Sequence, residues 1–267
     1  MSGWILATAG VLMGAGMAGV VLTGTSGANV RFADEPGRGT PVAVVELFTS
    51  EGCSSCPPAD ALLSALIADA GAKNAAVYAL SFHVNYWDNL GHPDPFASAA
   101  FTDRQYAYAD AFRARSVYTP QMVVNGSAEF VGSDAKQAAR QIEAALSRGT
   151  AGTLGLTAAR RGDAAEVALD ARGLPEGAVV HVALVERGLK TAVRRGENAG
   201  RTLAHDNVVR AFATLAPRPA AEGPATITLK APAGLNWDNA HVVAYAQDGN
   251  VGRVLNATRA PVGPAQP

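Results

Sequence analysis

The residues best suited to chemistry in this 267-residue chain are its two cysteines, Cys53 and Cys56, which are separated by two serines. A cysteine thiolate is both a nucleophile and a metal ligand, so a Cys-x-x-Cys pair can exchange disulfides, bind a metal ion or simply pack in a core. A four-cysteine zinc site is excluded, because the sequence contains no second pair. The spacing leaves three interpretations, which the surrounding elements must separate.

The cysteine pair follows a predicted strand and precedes a predicted helix. Val42 to Phe48 is an apolar run with the length of a buried strand, and apolar residues recur at helical spacing from Ala59 to Ala70. Backbone N–H groups at such a turn can point at one sulfur and favour its anionic form. This position favours a redox pair, in which Cys53, nearer the turn and more exposed, attacks and Cys56 resolves the mixed disulfide.

Other side chains near the pair could adjust its reactivity. Glu51 would raise the pKa of a neighbouring thiol through its negative charge. His83, at the end of the second predicted strand, could promote thiolate formation, complete a copper or zinc site with the two cysteines, or merely cap the strand. Tyr86 and Trp87 could wall a substrate groove, although packing in the core is the commoner role of such residues.

The first half of the chain alternates strands and helices. A second strand, Ala75 to Phe82, is predicted to lie parallel to the first, and a helix is predicted from about Phe96 to Arg113. Asn125-Gly126 predicts a type I′ turn that pairs Ala128 to Val131 with the preceding strand. Ser133 is the predicted N-cap of the next helix. Because open α/β sheets bind ligands beyond the carboxyl ends of their strands, the loop after the second strand should adjoin the cysteines.

The second half has a different pattern. Short apolar segments separated by turn signals predict an all-β sandwich at residues 151–262, after an α/β domain at residues 41–150. Within it, Arg194 to Arg201 and His205-Asp206-Asn207 are interpreted as a loop and hairpin of a supporting domain. The predicted strands are Thr153–Ala159, Ala165–Asp170, Ala178–Glu186, Val208–Leu215, Ala225–Leu229, His241–Gln247 and Val251–Thr258.

The order of elements and several short motifs resemble known proteins. The succession of strand, Cys-x-x-Cys, helix, strand, helix, Thr-Pro-strand, hairpin and helix is similar to a thioredoxin-like domain. More narrowly, the chain resembles a family of exported bacterial proteins catalogued as a domain of unknown function with a thioredoxin-like fold. The matching motifs extend over nearly the whole chain after the N-terminal segment: Glu46 to Asp60, His83 to Asp88, Tyr118 to Pro120 and Gly196 to Gly200.

The resemblance implies roles for residues outside the cysteine pair. It implies a cis Thr119–Pro120 bond, with Pro120 against the cysteines and the backbone of Thr119 presented to a substrate. Thioredoxins have a buried acid that assists proton transfer, and Glu46 lies within one residue of the matching position. The side chain of Glu46 could equally face solvent. The chain departs from thioredoxin in having serines between the cysteines, and Pro57 implies that the helix begins near it or has a distorted first turn. The resemblance implies no particular substrate, because none is established for the family.

Composition and the N-terminal segment bear on partners and compartment. The chain is 48% apolar and 17% charged with a net charge of −1, which argues against a nucleic-acid partner. Ile5 to Leu22 is apolar and uncharged, and Ser26-Gly-Ala28 resembles a signal-peptidase site. Residues 1–28 are therefore predicted to be a cleaved signal peptide or, alternatively, an uncleaved membrane anchor. A linker at 29–40 and a disordered tail at 263–267 complete the predicted organisation.

Together these features predict a periplasmic or secreted thiol–disulfide oxidoreductase that acts on protein or small thiols and uses no cofactor. The alternative is a copper- or zinc-binding protein or metallochaperone that uses Cys53, Cys56 and His83. A further alternative is a non-catalytic binding module. The expected partners are protein thiols or disulfides, or a redox partner protein. Attachment to a membrane is expected only if the N-terminal segment is not cleaved.

Overall fold

The structure is a computed structural model that describes residues 39–217 and 223–264. All strands and helices predicted from periodicity are present within a few residues of their expected bounds, and β8 and β9 are additional. The described elements are β1 (Ala43–Thr49), α1 (Pro57–Lys73), β2 (Val77–His83), α2 (Ala99–Phe112), β3 (Gln121–Val124), β4 (Ala128–Val131), α3 (Ala135–Leu146), β5 (Thr153–Arg161), β6 (Ala164–Arg172), β7 (Ala178–Glu186), β8 (Leu189–Ala192), β9 (Thr202–His205), β10 (Val208–Leu215), β11 (Ala225–Lys230), β12 (Ala240–Asp248) and β13 (Val254–Gly263).

Eleven of the described strands form one mixed sheet, in the order β11-β6-β5-β13-β12-β7-β10-β2-β1-β3-β4. β1 runs parallel to β2 and antiparallel to β3, and β3 pairs with β4 in a hairpin. β8 and β9 form a separate two-stranded hairpin. The parallel β1–β2 pair confirms the predicted βαβ unit and places the cysteine turn at the carboxyl end of β1.

The predicted fold class, a thioredoxin-like α/β domain followed by a β-sandwich, is wrong. The fold is mostly β, and strands of the second half extend the sheet that carries the cysteine turn, because β10 pairs with β2. At this junction Val208 is the partner of Ser81. The Asn207 carbonyl accepts the N–H of Ser81, and the Asn207 amide donates to the carbonyl of Ala79. Periodicity predicts strands, but it does not say which free edge each strand pairs with. The boundary between residues 150 and 151 stays a prediction.

β1 is buried on both faces, which explains its unbroken apolar run. Val44 and Phe48 point into a core shared with α2. Val45 and Leu47 point to the other face, into a core with α1 and α3. A third core lies among the strands of the second half. The strand that carries the cysteine turn is thus fixed by packing on both sides.

Of three local features predicted from the sequence, the structure confirms two and contradicts one. Asn125 and Gly126 take φ angles of 49° and 59° at the β3–β4 turn, as a type I′ turn requires. The Thr119–Pro120 bond is cis, as the resemblance implied. The predicted N-cap at Ser133 is wrong, because Asp134 caps α3. A carboxylate one residue further on is the better placed acceptor for the helix N–H groups.

The predictions made for residues 1–28 lie outside the described residues, as do those for most of the linker and the tail. β13 continues to Gly263, the first residue of the predicted tail. Among the helices that the structure describes, none is long and apolar enough to cross a membrane.

Candidate functional site

Cys53 and Cys56 form a disulfide bridge in the turn between β1 and α1, with their Cα atoms 5.5 Å apart. Both residues are fully buried (0% exposed), which corrects the expectation that Cys53 is accessible. Ser54 and Ser55 between them are exposed, and the Ser55 hydroxyl lies 3.3 Å from the Cys53 sulfur. A partner that approaches the turn therefore meets the serines before either sulfur.

The helix that follows begins at Pro57, in agreement with the proline pattern. Pro57 and Pro58 have no N–H group, so the first turn of α1 lacks two of the donors that a helix end normally presents. The first helical hydrogen bonds run from the N–H groups of Ala59 and Asp60 to the carbonyl of Cys56. The helix end thus offers less stabilisation to a thiolate than the strand–turn–helix pattern alone implied.

Trp87 packs on the cysteine turn at Gly52. A Cβ added to Gly52 would lie 2.9 Å from the Cβ of Trp87, so a larger residue would force the two segments apart. The indole N–H of Trp87 donates to the hydroxyl of Thr119 at 2.9 Å. The hydroxyl of Tyr86 donates to Gln105, and Tyr86 also interacts with the side chains of Thr119 and Trp87. The structure thus places Trp87 beside the turn and links it to the side chain of Thr119, whereas the predicted role of the Thr119 backbone stays a prediction.

Pro120 is buried near the first turn of α1. Its carbonyl accepts the N–H of Gly132 at 2.9 Å. A Cβ on Gly132 would lie 3.1 Å from the Cβ of Pro120 and 3.2 Å from that of Ala59. Pro120 and the beginning of α1 therefore meet at Gly132. The contact on α1 is Ala59, which lies three residues after Cys56.

The cysteine turn is covered by the loop that joins β8 to β9, residues 193–201, which we call the Asn198 loop. The buried amide of Asn198 donates to the carbonyl of Glu51 at 2.9 Å and to that of Cys53 at 3.0 Å. Arg201 donates to the amide oxygen of Asn198 at 2.7 Å and so fixes the orientation of the side chain. One asparagine therefore satisfies two backbone carbonyls of the turn.

The same loop also holds Ser54, the first of the two residues between the cysteines. Glu197 accepts the N–H of Ser54 at 3.0 Å, and hydrogen bonds from the Ser54 hydroxyl and N–H lower the pKa of Glu197. Gly196, with φ 79°, packs closely on Gly91. The sequence predicts a loop and hairpin of a supporting domain for this segment. The motif Gly196-Glu-Asn-Ala-Gly200 marks the segment in the sequence, but a motif alone does not predict that the segment contacts the cysteine turn.

A cluster of three acids and three histidines lies against the turn, and we call it the acid–histidine cluster. Glu51 is at its centre: its two carboxylate oxygens lie 2.7 Å from His92 Nε2 and 3.1 Å from His205 Nε2. Burial alone would raise the pKa of Glu51, but hydrogen bonds from His205, His92 and Thr191 outweigh it and lower that pKa. Glu51 is therefore a buried carboxylate shared by two imidazoles. The members of the cluster are Glu51, Asp60, His83, His92, Asp94 and His205.

His83 is fully buried and pairs with Asp94, whose Oδ2 lies 2.7 Å from His83 Nδ1. Burial opposes the charge on His83, but the carboxylate of Asp94 outweighs burial and raises the histidine pKa. Burial likewise opposes ionisation of Asp94, but His83 outweighs it and lowers the Asp94 pKa to about 2. Asp94 Oδ2 also accepts the N–H of Glu51 at 2.8 Å. The pair thus anchors the backbone just before the cysteines.

Asp60 completes the acid–histidine cluster from the first turn of α1. Its Oδ2 lies 3.8 Å from His205 Nδ1, and burial, the largest effect on it, raises its pKa. The rings of His83 and His205 are in edge-to-face contact at 4.9 Å. Among the described residues, four buried atoms of this region have no hydrogen-bond partner: Thr49 Oγ1, Asp60 Oδ1, His83 Nε2 and His205 Nδ1. Buried polar atoms of this kind are uncommon and need an explanation.

Glu46 is buried, which decides between the two orientations considered from the sequence. Its carboxylate accepts two hydrogen bonds from Arg104, at 2.6 and 2.9 Å, and one from the hydroxyl of Tyr108 at 2.5 Å. Arg104 also donates to Gln247, which ties α2 to β12. Glu46 therefore belongs to a polar network on the α2 side of β1. Its role as a modulator of the cysteines stays a prediction.

The alternative metal site was predicted from Cys53, Cys56 and His83. In the structure the two sulfurs are bonded to each other, and Nδ1 of His83 faces Asp94. Within the described residues, no group of three or more His, Cys, Asp or Glu side chains is arranged to hold a metal ion. The cysteine turn is therefore best considered as a disulfide centre beside the acid–histidine cluster.

Comparison with known proteins places the chain in a family. Residues 44–247, which include the cysteine turn and the Asn198 loop, match the family described as "Protein of unknown function (DUF1223)". The chain belongs to this family. No curated protein matches the sequence. DUF1223 membership thus agrees with the resemblance seen in the motifs, and it supplies no activity.

Solved structures add a protein that is similar to most of this chain. A crystal structure of a protein from Agrobacterium tumefaciens is 28% identical, with a TM-score of 0.60, and the match covers 85% of this chain and 97% of that one. A domain of the outer membrane lipoprotein Omp28 from Porphyromonas gingivalis is 20% identical over 42% of this chain and 96% of that one. Its TM-score of 0.23 is too low to support a structural argument. The Agrobacterium protein is therefore similar in fold to this chain over most of its length.

Proposed function

We propose that this DUF1223 protein is a thiol–disulfide oxidoreductase whose redox centre is the Cys53–Cys56 bridge. The observation that carries the proposal is a disulfide closed over a sequence separation of only 3 residues. Such a short loop gives about 2 kcal/mol of chain-entropy stabilisation, compared with about 3 kcal/mol for a 15-residue loop. A bridge that adds little as a staple, in a chain with no other cysteines, is better explained by redox chemistry.

The proposed reaction is exchange with a thiol or disulfide of a protein or small molecule. A substrate thiolate attacks the sulfur of Cys53, the bridge breaks, and its electron pair goes to Cys56. Cys53 is the favoured target because it lies in the turn before the helix, next to the exposed Ser54, whereas Cys56 is the N-cap residue of α1. Because both sulfurs are buried, the Asn198 loop must move before a substrate can reach them.

Trapping of mixed disulfides tests the proposal. The Cys56→Ser variant keeps the attacking thiol but cannot resolve a mixed disulfide, so we expect it to accumulate an adduct with an oxidised model peptide. The matched control is Cys53→Ser, which should accumulate much less adduct. The wild-type protein should also exchange with the peptide faster than glutathione does at equal thiol concentration. Equal and slow reaction of all three proteins would refute the oxidoreductase function.

We also propose that the protein works outside the cytoplasm, in the periplasm or after secretion. The uncharged apolar run Ile5 to Leu22 and the small-residue site at Ser26-Gly-Ala28 support this compartment. The disulfide agrees with it, because stable disulfides are rare in reducing compartments. N-terminal sequencing of the protein from fractionated cells tests the proposal: Asn29 as first residue in the soluble exported fraction supports it, and an intact Met1 in the cytoplasm contradicts it.

A further inference from the structure

The burial of both sulfurs creates a problem of proton supply. When the bridge is reduced, Cys56 is released as a thiolate in a site with no exposed surface, where an uncompensated charge is costly. Asp60 lies one helical turn after Cys56, on the same face of α1, and its N–H donates to the carbonyl of Cys56 at 3.1 Å. Asp60 is 5% exposed, and burial raises its pKa, which shifts the carboxyl group towards its protonated form.

From Asp60 a chain of side chains leads towards solvent. Asp60 Oδ2 lies 3.8 Å from Nδ1 of His205, and Nε2 of His205 lies 3.1 Å from one oxygen of Glu51. The other oxygen of Glu51 lies 2.7 Å from Nε2 of His92, whose side chain is 15% exposed. Each member thus faces the next through a different atom. The Asp60–His205 distance of 3.8 Å is longer than a hydrogen bond, so a proton crosses this step only when the two side chains move closer together.

We propose that this chain, from Asp60 to His92, is a proton relay that connects Cys56 with solvent during the redox cycle. The proposal rests on the oxidoreductase function proposed above. Imidazole suits the positions on either side of Glu51, because it can accept a proton at one nitrogen while releasing one at the other. The unpaired atoms Asp60 Oδ1 and His205 Nδ1 fit a path in which protons are not locked in fixed hydrogen bonds.

The proton balance of the step is simple. The bridge accepts two electrons from a dithiol reductant, which is oxidised to its own disulfide, and the two cysteines each require one proton. Asp60 supplies the proton of Cys56 and is itself reprotonated through His205. Solvent supplies the proton of Cys53 once the Asn198 loop has opened. When the protein reduces a substrate disulfide, the bridge forms again and the same steps run in reverse.

The groups that face the relay come from several elements. Thr49 of β1 and His83 of β2 face Asp60, and Asp94 of the loop after β2 adds a further negative charge. Thr191 of β8 donates to Glu51. His83 itself is held by Asp94, so it contributes charge to the site without lying on the path to His92. These neighbours make the rate of proton transfer dependent on pH through more than one group.

The rate at which dithiothreitol reduces the protein's own bridge tests the relay, because this rate is measurable whether or not the protein acts on clients. We expect His205→Gln and His92→Ala to slow reduction at neutral pH by about 100-fold, the lower range for loss of a general acid–base group. The control is His241→Gln: His241 is largely buried on β12, away from the cluster, and its loss should leave the rate unchanged.

Chemical rescue separates proton transfer from a structural role. His92 reaches the surface, so imidazole in solution should restore the rate of His92→Ala in proportion to its concentration. Pyrazole, which has a similar shape but is a far weaker base, should not restore it. Should His205→Gln fail to fold, the His92→Ala measurement still decides. Unchanged rates in His92→Ala, or equal rescue by imidazole and pyrazole, would overturn the relay.

The two proposals fail in different ways. If the wild-type bridge is reduced through the relay but traps no client, the oxidoreductase function is wrong and the relay stands. If the protein exchanges with clients at full rate when His92 is alanine, the relay is wrong and the oxidoreductase function stands.

Discussion

At the scale of single residues, the site depends on buried charges that are paired with one another. Asp94 is the clearest case, because its carboxylate holds both the imidazole of His83 and the backbone N–H of Glu51. A buried ion pair adds little net stability, but removal of one partner leaves the other charge uncompensated and costs about 3–5 kcal/mol. The cysteine turn therefore relies on a pair that does not touch the sulfurs.

This pairing predicts a dependence of stability on pH. The pKa of Asp94 is lowered from 3.8 to about 2, so its contribution is present above pH 3.8 and is lost as the pH falls towards 2. The pKa of His83 is raised above 6.5, so its contribution is complete below pH 6.5 and is lost as the pH rises through the raised value. We expect the contribution of this pair to the free energy of unfolding, measured in urea, to be largest between pH 4 and pH 6.5.

The variant Asp94→Asn tests the pair directly. We expect it to lower the free energy of unfolding at pH 6 by about 3–5 kcal/mol. The difference from the wild type should shrink as the pH falls from 4 towards 2. The control Asp69→Asn removes an exposed partner of Lys73 and should cost less than about 1 kcal/mol. A constant difference between Asp94→Asn and the wild type at all pH values would show that the pair does not titrate as described.

At the scale of elements, the β8–β9 hairpin holds the backbone of the cysteine turn. Its Asn198 loop holds the carbonyls of Glu51 and Cys53 and the N–H of Ser54. The hairpin pairs only with itself among the described strands, so it can shift without breaking the large sheet. Opening of this loop is the motion that the proposed exchange reaction requires.

The variant Asn198→Ala should loosen this cover. Loss of the amide leaves two carbonyls without their donor, and we expect the free energy of unfolding to fall by about 1–3 kcal/mol. We also expect faster reduction of the bridge by a phosphine reductant, because the loop opens more readily. The control is Asn89→Ala, at an exposed position between β2 and α2. It should change neither the free energy of unfolding nor the rate of reduction. An Asn198→Ala protein reduced at the wild-type rate would show that the loop does not limit access.

A glycine at the β3–β4 turn offers a second test at this scale. Gly126 has φ +59°, and a Cβ there would lie 2.0 Å from the carbonyl oxygen of Gly252. Gly162 has φ +60° with open space around it, so Gly162→Ala should cost only the backbone strain, about 1 kcal/mol.

Gly126→Ala should cost the same strain and a further 1–3 kcal/mol or so for the forced shift of the backbone. The free energies of unfolding of the two variants in urea measure the difference. Equal losses in both would mean that the turn does not approach Gly252 in solution.

At the scale of the whole molecule, one sheet joins the cysteine turn to the strands of the second half. The junction between β2 and β10 rests on Val208, Ser81 and Asn207. The side chain of Asn207 reaches the carbonyl of Ala79 on one side and accepts from Arg187 on the other. A connection of this kind predicts that the two halves unfold together.

Tryptophan fluorescence tests this cooperativity. Trp87 lies at the cysteine turn and Trp237 in the second half. In a Trp4→Phe background, Trp87→Phe and Trp237→Phe therefore report on the two halves separately. We expect the two variants to show coincident unfolding transitions in urea, as a single cooperative unit requires. Asn207→Gly keeps the positive φ of 48° accessible but removes the amide, and it should separate the transitions or shift both to lower urea. Distinct transitions in the parent variants would contradict the single unit.

Some features were determined by the sequence alone, because they depend on contacts within a few residues. The unbroken apolar run of β1, the Asn125-Gly126 turn and the start of α1 at Pro57 are all set by local propensity and sterics. Family membership also followed from local motifs, including the Cys-x-x-Cys turn. Local patterns are sufficient for such features because the chain cannot satisfy them in another way.

Other features were decided only by the tertiary structure. The burial of Cys53, the cover over it by Asn198 and the meeting of Glu51 with His205 join residues more than a hundred positions apart. The continuation of the sheet from β2 into β10 is of the same kind, and it overturned the two-part fold expected from the pattern. Strand pairing and burial are set by the competition among all free edges and apolar faces of the chain, which no local pattern contains.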